Sequence, residues 1–239
     1  MAQKYPVPSP EKFLGIATTS VGCGPGGGTP MIAYAQSPSC PGVATRHNSR
    51  SLCFSFLSRV AVVDYRGQSI FCSYVLPTNP VTDYRTSTTG IQPADLQPGE
   101  PSVGICATSA HPLPGNALPW KEVQQRVAQL IRDKILVGHT LWQDLSVLGI
   151  PHPAVATRDV ALYQPFRNAL RSTSQIIGLQ TLMWHLMRRR VQETHVCALE
   201  NARAALDLYR SHAEEWEGTI AKGQWPSFLP PSTFSRCYL

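Results

Sequence analysis

A chain of 239 residues is long enough for one good-sized core, or for one core carrying a large insertion. Its 43% hydrophobic and 15% charged residues are those of a globular protein, and apolar runs such as VGICATSA are far too short to span a bilayer as a helix; no membrane partner is expected. The formal net charge of +6 permits an anionic polymer as partner, but the positive residues are dispersed except for the run Arg188–Arg190. That run sits at an expected helix end, where cations complement the helix dipole.

The opening segment, MAQKYPVPSPEK, is polar and Pro-rich and does not read as a secretory leader. Residues 12 to 20 read as a strand, in the stretch KFLGIATTSVGCGPGGG. Residues 22 to 50 are rich in Gly, Pro and Ser without a period, and read as a long insertion. SLCFSFLSRVAVVDYRG predicts a strand ending in a turn, with SIFCSYVLP as its hairpin partner. The polar segment TNPVTDYRTSTTGIQPADL follows, and then a second Pro/Gly-rich insertion at 97 to 119. WKEVQQRVAQLIRD places Val123, Val127, Leu130 and Ile131 on one helical stripe. KILVGH is a short buried strand and TLWQDLSVLGI a helix leaving its end. SQIIGLQTLMWHLMRRR and ALENARAALDLYRSHAEEWEG are the last two expected helices, and a Pro-rich tail from Gln224 to Leu239 wraps the surface. Strands first, then helices alternating with a strand, predict a mixed sheet flanked by helices in a single domain.

The seven cysteines (Cys23, Cys40, Cys53, Cys72, Cys106, Cys197 and Cys237) are scattered and contain no CxxC pair. They read as reduced thiols with no zinc site, and with the absence of a leader they predict an intracellular, cytoplasmic protein.

LSRVAVVDYRG, YVLPTNPVTDYRTSTTGIQPADL, ILVGHTLWQDLSVL, TRDVALYQPFR and ENARAALDLYR, in this order, resemble the DEDDh-type 3′–5′ exonucleases. These belong to the ribonuclease H-like superfamily, and the similarity is to its eukaryotic RNA exonuclease branch. The resemblance covers most of residues 12 to 217 apart from the two insertions. It implies an α/β, ribonuclease H-like exonuclease fold with a mixed central sheet flanked by helices. It also implies hydrolysis of phosphodiesters by two divalent cations held on four carboxylates, with a histidine deprotonating the water.

Set against that pattern, the acids are mostly gone. Ala17 and Thr19 stand where the family has the Asp and Glu of its first strand, while Asp144 keeps the second-motif aspartate. In the third motif, counting back from ARAA puts Asn201 in the aspartate's place and Val196 in the histidine's. Counting forward from His195 puts Glu200 there instead. Hard cations need anionic oxygens, so no metal and no other cofactor is expected.

Three functions remain open. The first is a metal-independent enzyme of specialised metabolism doing acid–base chemistry (isomerase, cyclase, lyase or hydrolase) on a small-molecule substrate. Asp144 would pair with His195 or His139 as the proton-transfer dyad, and Trp142 would form an apolar wall. Ala17 and Thr19 would line that cleft, as would Glu200 or Asn201, with Tyr84 and Arg85 of the TDYRT loop at its edge. The second is a non-catalytic pseudonuclease binding RNA or a protein partner, although no basic stripe interleaved with aromatics is legible beyond the arginine run. The third is a weak metal-dependent exonuclease. The sequence leans to the first and is silent on oligomeric state.

Overall fold

Val is the commonest residue in the segments that become strands, and Thr and Phe recur there, as expected of side chains that pack on a pleated surface. In the computed structural model the described residues are 8–23, 43–45, 54–98, 115–172 and 175–239. The strands are β1 (Phe13–Cys23), β2 (Val43–Thr45), β3 (Phe54–Val63), β4 (Ser69–Leu76), β5 (Val81–Asp83), β6 (Leu118–Pro119), β7 (Ile135–Gly138) and β8 (Thr157–Asp159). They form one sheet in the order β6-β4-β3-β1-β7-β8, with β2 beside β3 and β5 beside β1. β3 pairs antiparallel with both β1 and β4, whereas β7 pairs parallel with β1 and β8, so the sheet is mixed.

The helices are α1 (Thr86–Thr89), α2 (Trp120–Ile131), α3 (Leu141–Leu148), α4 (Gln164–Ala169), α5 (Leu179–Met187), α6 (Ala198–Ser211) and α7 (Ala213–Ala221). The predicted α2 stripe buries Trp120, Val123, Val127 and Ile131, with Leu130 only half-buried. Val123 and Val127 join Leu14, Ile16, Val60, Leu141 and Leu145 in one apolar cluster. A second cluster joins α6 to the sheet through Phe13, Ala61, Val63, Ala202 and Leu206. The helix comes very close to β1: a Cβ at Gly15 would lie 3.0 Å from the Ala202 carbonyl and 2.7 Å from Val63 Cγ2. Only glycine permits that approach.

β1 runs three residues beyond its predicted end at 20. The helix predicted from Ala198 to Gly218 breaks at His212, so that α7 turns away from α6. β8 and α4 were not anticipated; three and six residues are too few for a period to show. The two predicted insertions fall mostly outside the described residues, although Val43–Thr45 and Leu118–Pro119 within them pair as strands. Cys23, Cys197 and Cys237 are free thiols. Among the described residues no helix is long and apolar enough to cross a membrane.

Candidate functional site

The site is built where the second half of β1 meets the first turn of α3. Gly138 ends β7 at a point where a Cβ would lie 2.4 Å from Leu141 Cδ2 and 2.9 Å from the Ile16 carbonyl. The chain then turns through Thr140, whose φ is 58°, into α3. The buried Asp159 carboxylate caps that helix by accepting the Thr140 and Leu141 amides at 3.0 and 2.7 Å, and it also accepts the Ala161 amide at 2.9 Å. Burial nevertheless pushes the Asp159 carboxyl up to about 7.

This cap orients Asp144 toward β1. The Thr18 amide and hydroxyl both donate to Asp144 Oδ1, at 3.0 and 2.6 Å, while Oδ2 is buried without a hydrogen-bond partner. Asp144 is 6% exposed. Burial drives its carboxyl up to about 8, against the opposing pull of the two Thr18 hydrogen bonds.

Ala17 and Thr19 flank Thr18 and are 7% and 6% exposed. Ala17 belongs to the apolar cluster of Ala198, Leu199 and Ala202 at the start of α6. β1 and β3 lose register between Thr19 and Ser20, leaving Ser58 as the extra residue of a bulge. The Ser58 hydroxyl donates to the Thr19 carbonyl at 2.9 Å. Arg59 pairs across from Thr19, donates to Cys72 Sγ at 3.4 Å and lies over the Tyr74 ring. At α6, Gln192 ties both candidates for the last acid: its amide donates to Glu200 Oε2 at 3.0 Å and its Nε2 to Asn201 Oδ1 at 2.8 Å.

The other predicted site residues lie apart. His195 is exposed and its ring faces Gly90, where a Cβ would lie 3.1 Å from its Cγ. The neighbouring Val196 amide donates to the Thr88 carbonyl at 2.7 Å, fixing His195 on the α1 loop. Arg85 acts as a strut: its guanidinium donates to the Ser20 carbonyl and hydroxyl and to the Ser55 hydroxyl. Burial holds the Arg85 pKa below its usual value. Tyr84 packs against the first apolar cluster.

Two expectations are corrected. No acid–base dyad forms: both hydrogen bonds to Asp144 come from Thr18, and His139 Nε2 instead bonds the Ile177 carbonyl at 2.8 Å. Burial also holds the His139 imidazole below its ordinary pKa. Nor does Trp142 form a pocket wall. It is fully buried, edge-on to Phe234 at 6.0 Å, and Cys237 Sγ donates to its carbonyl. Residues two apart on a helix point about 200° apart, so turning Asp144 to β1 sends Trp142 under the C-terminal tail. Thr18, Gln192 and Asp159 were missed. Strand alternation places Thr18 opposite Ala17 and Thr19, and Asp159 lies within TRDVALYQPFR, but nothing in the sequence marks Gln192.

The donor set does not fit the pair of divalent cations that the fold implies. Ala17 offers no oxygen, Thr19 and Asn201 are neutral, Asp144 commits Oδ1 to Thr18, and Glu200 accepts the Gln192 amide. Among the described residues no group of three or more His, Cys, Asp or Glu is placed to hold a metal ion. Two open cavities, of about 630 and 470 Å³, lie elsewhere: one beside Lys12, Arg132, Lys134 and His152, the other beside Trp184 and Arg190.

No family model matches the chain. Among curated proteins it is 34% identical to RNA exonuclease 4 of Mus musculus over 176 residues, which is 74% of this chain and 36% of that protein. Its identity to RNA exonuclease 4 of Homo sapiens is also 34%, over 177 residues, covering 74% of this chain and 37% of that protein. The chain thus spans little more than a third of the length of these relatives. Among solved structures, the Neurospora crassa Pan2 catalytic unit (protease and nuclease domain) matches with a TM-score of 0.58 and 21% identity, over 93% of this chain and 30% of that one. The Saccharomyces cerevisiae Pan2 pseudoubiquitin hydrolase–RNA exonuclease module, in complex with A7 RNA, matches with a TM-score of 0.58 and 22% identity, over 90% and 31%.

These relatives overturn the expectation of an isomerase or lyase with a small-molecule substrate: the similar proteins are RNA exonucleases, and the yeast neighbour was solved on RNA. The fold expected from the sequence, a mixed sheet flanked by helices, is the one these exonuclease modules share. The chain belongs to the DEDD exonucleases of the ribonuclease H-like superfamily.

Proposed function

We propose that this chain is a non-catalytic pseudonuclease, an RNA-binding module that holds single-stranded RNA without cutting it and without a metal. One observation carries the reading: the two first-strand positions that should be acidic are Ala17 and Thr19, both uncharged and both buried. Two divalent cations brought there would lose hydration with no anionic oxygen from β1 in compensation. Losing those acids also removes negative charge that would repel a phosphate backbone, in a chain of net charge +6. RNA is favoured over a protein partner because the relatives at 34% identity are RNA exonucleases.

Single-stranded RNA should bind at low salt, with an affinity that falls steeply between about 50 and 200 mM salt as counterions are released. A 3′-labelled oligonucleotide should stay intact in magnesium or manganese. No binding at low salt would defeat the reading. So would metal-dependent shortening that disappears in Asp144→Ala, since that outcome means a working exonuclease.

A further inference from the structure

The arginine run after α5, read from sequence as a helix-end cluster, is folded onto an exposed aromatic. α5 ends at Met187 and is capped by Arg188, whose left-handed φ of 54° turns the chain back along the helix. The turn brings Arg190 over the ring of Trp184, with Cζ 5.4 Å from the ring centroid. Trp184 is 42% exposed, whereas Trp120, Trp142 and Trp216 are at most 4% exposed. Together with Gln180, Thr181, His185 and Glu193, this pair lines an open cavity of about 470 Å³.

The charges around the ring differ in availability. Arg189 is paired with Asp207 at 2.5 Å, and Arg190 touches Glu193 at a loose 3.6 Å with both side chains mostly exposed. Arg188 is exposed and has no ion-pair partner among the described residues. Two residues beyond Arg190, Gln192 holds Glu200 and Asn201 at the start of α6.

We infer that Trp184 and Arg190 form a stacking platform for one base of single-stranded RNA, with Arg188 meeting the adjoining phosphate. The inference rests on the proposed RNA-binding function and says where on the surface the strand is gripped. An indole face accepts any base, and its polar and cationic rim suits a nucleotide better than an apolar peptide. The loose, solvent-exposed pairing of Arg190 with Glu193 is weak enough for a phosphate to displace.

The test is titration of short oligoadenylate into the full chain, read by fluorescence anisotropy of the labelled RNA. A Trp225→Phe background leaves Trp184 as the one strongly exposed tryptophan among the described residues. In that background RNA should quench tryptophan emission. Trp184→Ala should weaken binding about tenfold and abolish the quench, and Trp184→Phe should recover part of the affinity. Arg188→Gln should lower the slope of log affinity against log salt by about 0.7. Unchanged affinity and emission in Trp184→Ala, with RNA still bound, would overturn the platform while leaving the RNA-binding function intact. If the wild-type chain binds no RNA at low salt, both fail together.

Discussion

Both hydrogen bonds that Asp144 accepts arrive at Oδ1, while Oδ2 is buried with none, which favours a proton on the group. Its folded pKa of about 8 lies above the ordinary 3.8, so between these values the native chain keeps a proton that the unfolded chain releases. Stability from this group is therefore full below pH 3.8 and is lost as pH rises toward 8, by up to about 1.4 kcal/mol per pH unit. Asp159, raised to about 7, acts in the same direction. Asp144→Asn keeps the acceptor for Thr18 and removes the titration. Urea unfolding from pH 5 to 8 should show a flatter pH dependence for this variant than for the wild type, and higher relative stability at pH 8. An unchanged slope would mean that Asp144 is ionised in the native chain.

At the scale of elements, a buried ion pair locks the helices that the break at His212 creates. Arg158 on β8 meets Glu217 on α7 through two bonds, of 2.6 and 2.9 Å, with both side chains at most 4% exposed. The Tyr209 hydroxyl on α6 donates to the same carboxylate at 2.9 Å, and Trp216 stacks on Tyr163 at 3.8 Å beside it. Such a pair stabilises little against a well-packed apolar replacement, but leaving one partner behind unpaired is expensive. Glu217→Ala should therefore cost about 3–5 kcal/mol in urea unfolding, and Arg158→Met with Glu217→Leu should cost much less than the two single losses added together. A double-variant cost equal to the sum of the two single costs would mean that the two side chains contribute independently, through packing, and not as a pair.

For the whole molecule, the issue is how much negative charge the inherited cleft can gather. The combined substitution Ala17→Asp, Thr19→Glu and Asn201→Asp puts carboxyls at positions where the resemblance implies the family's acids, beside the Glu200 already present. Ala17 is buried among α6 residues and Thr19 is also buried, so carboxylates there should destabilise the metal-free chain. Manganese should then raise the melting temperature, with about 2.7 kcal/mol of stabilisation at a hundredfold excess over its Kd. The wild type should not respond. A comparable shift in the wild type would mean that Asp144 and Glu200 suffice to hold a metal, and would reverse the pseudonuclease reading.

Much of the fold was legible because it is written in local pattern: the hairpin runs, the α2 stripe and the order of motifs need no knowledge of distant contacts. β8 and α4 were too short to carry a period, and the helix break at His212 follows from packing α7 against β8. The site was legible only in part. That Ala17 and Thr19 bring no charge is a matter of composition at two positions, and the sequence alone determines it. That Asp144 is sealed by Thr18, 126 residues away, that Trp142 lies under the tail, and that Arg190 folds over Trp184 were decided by tertiary structure. Charge belongs to a residue, whereas burial and partnership depend on which distant segments the fold brings against it.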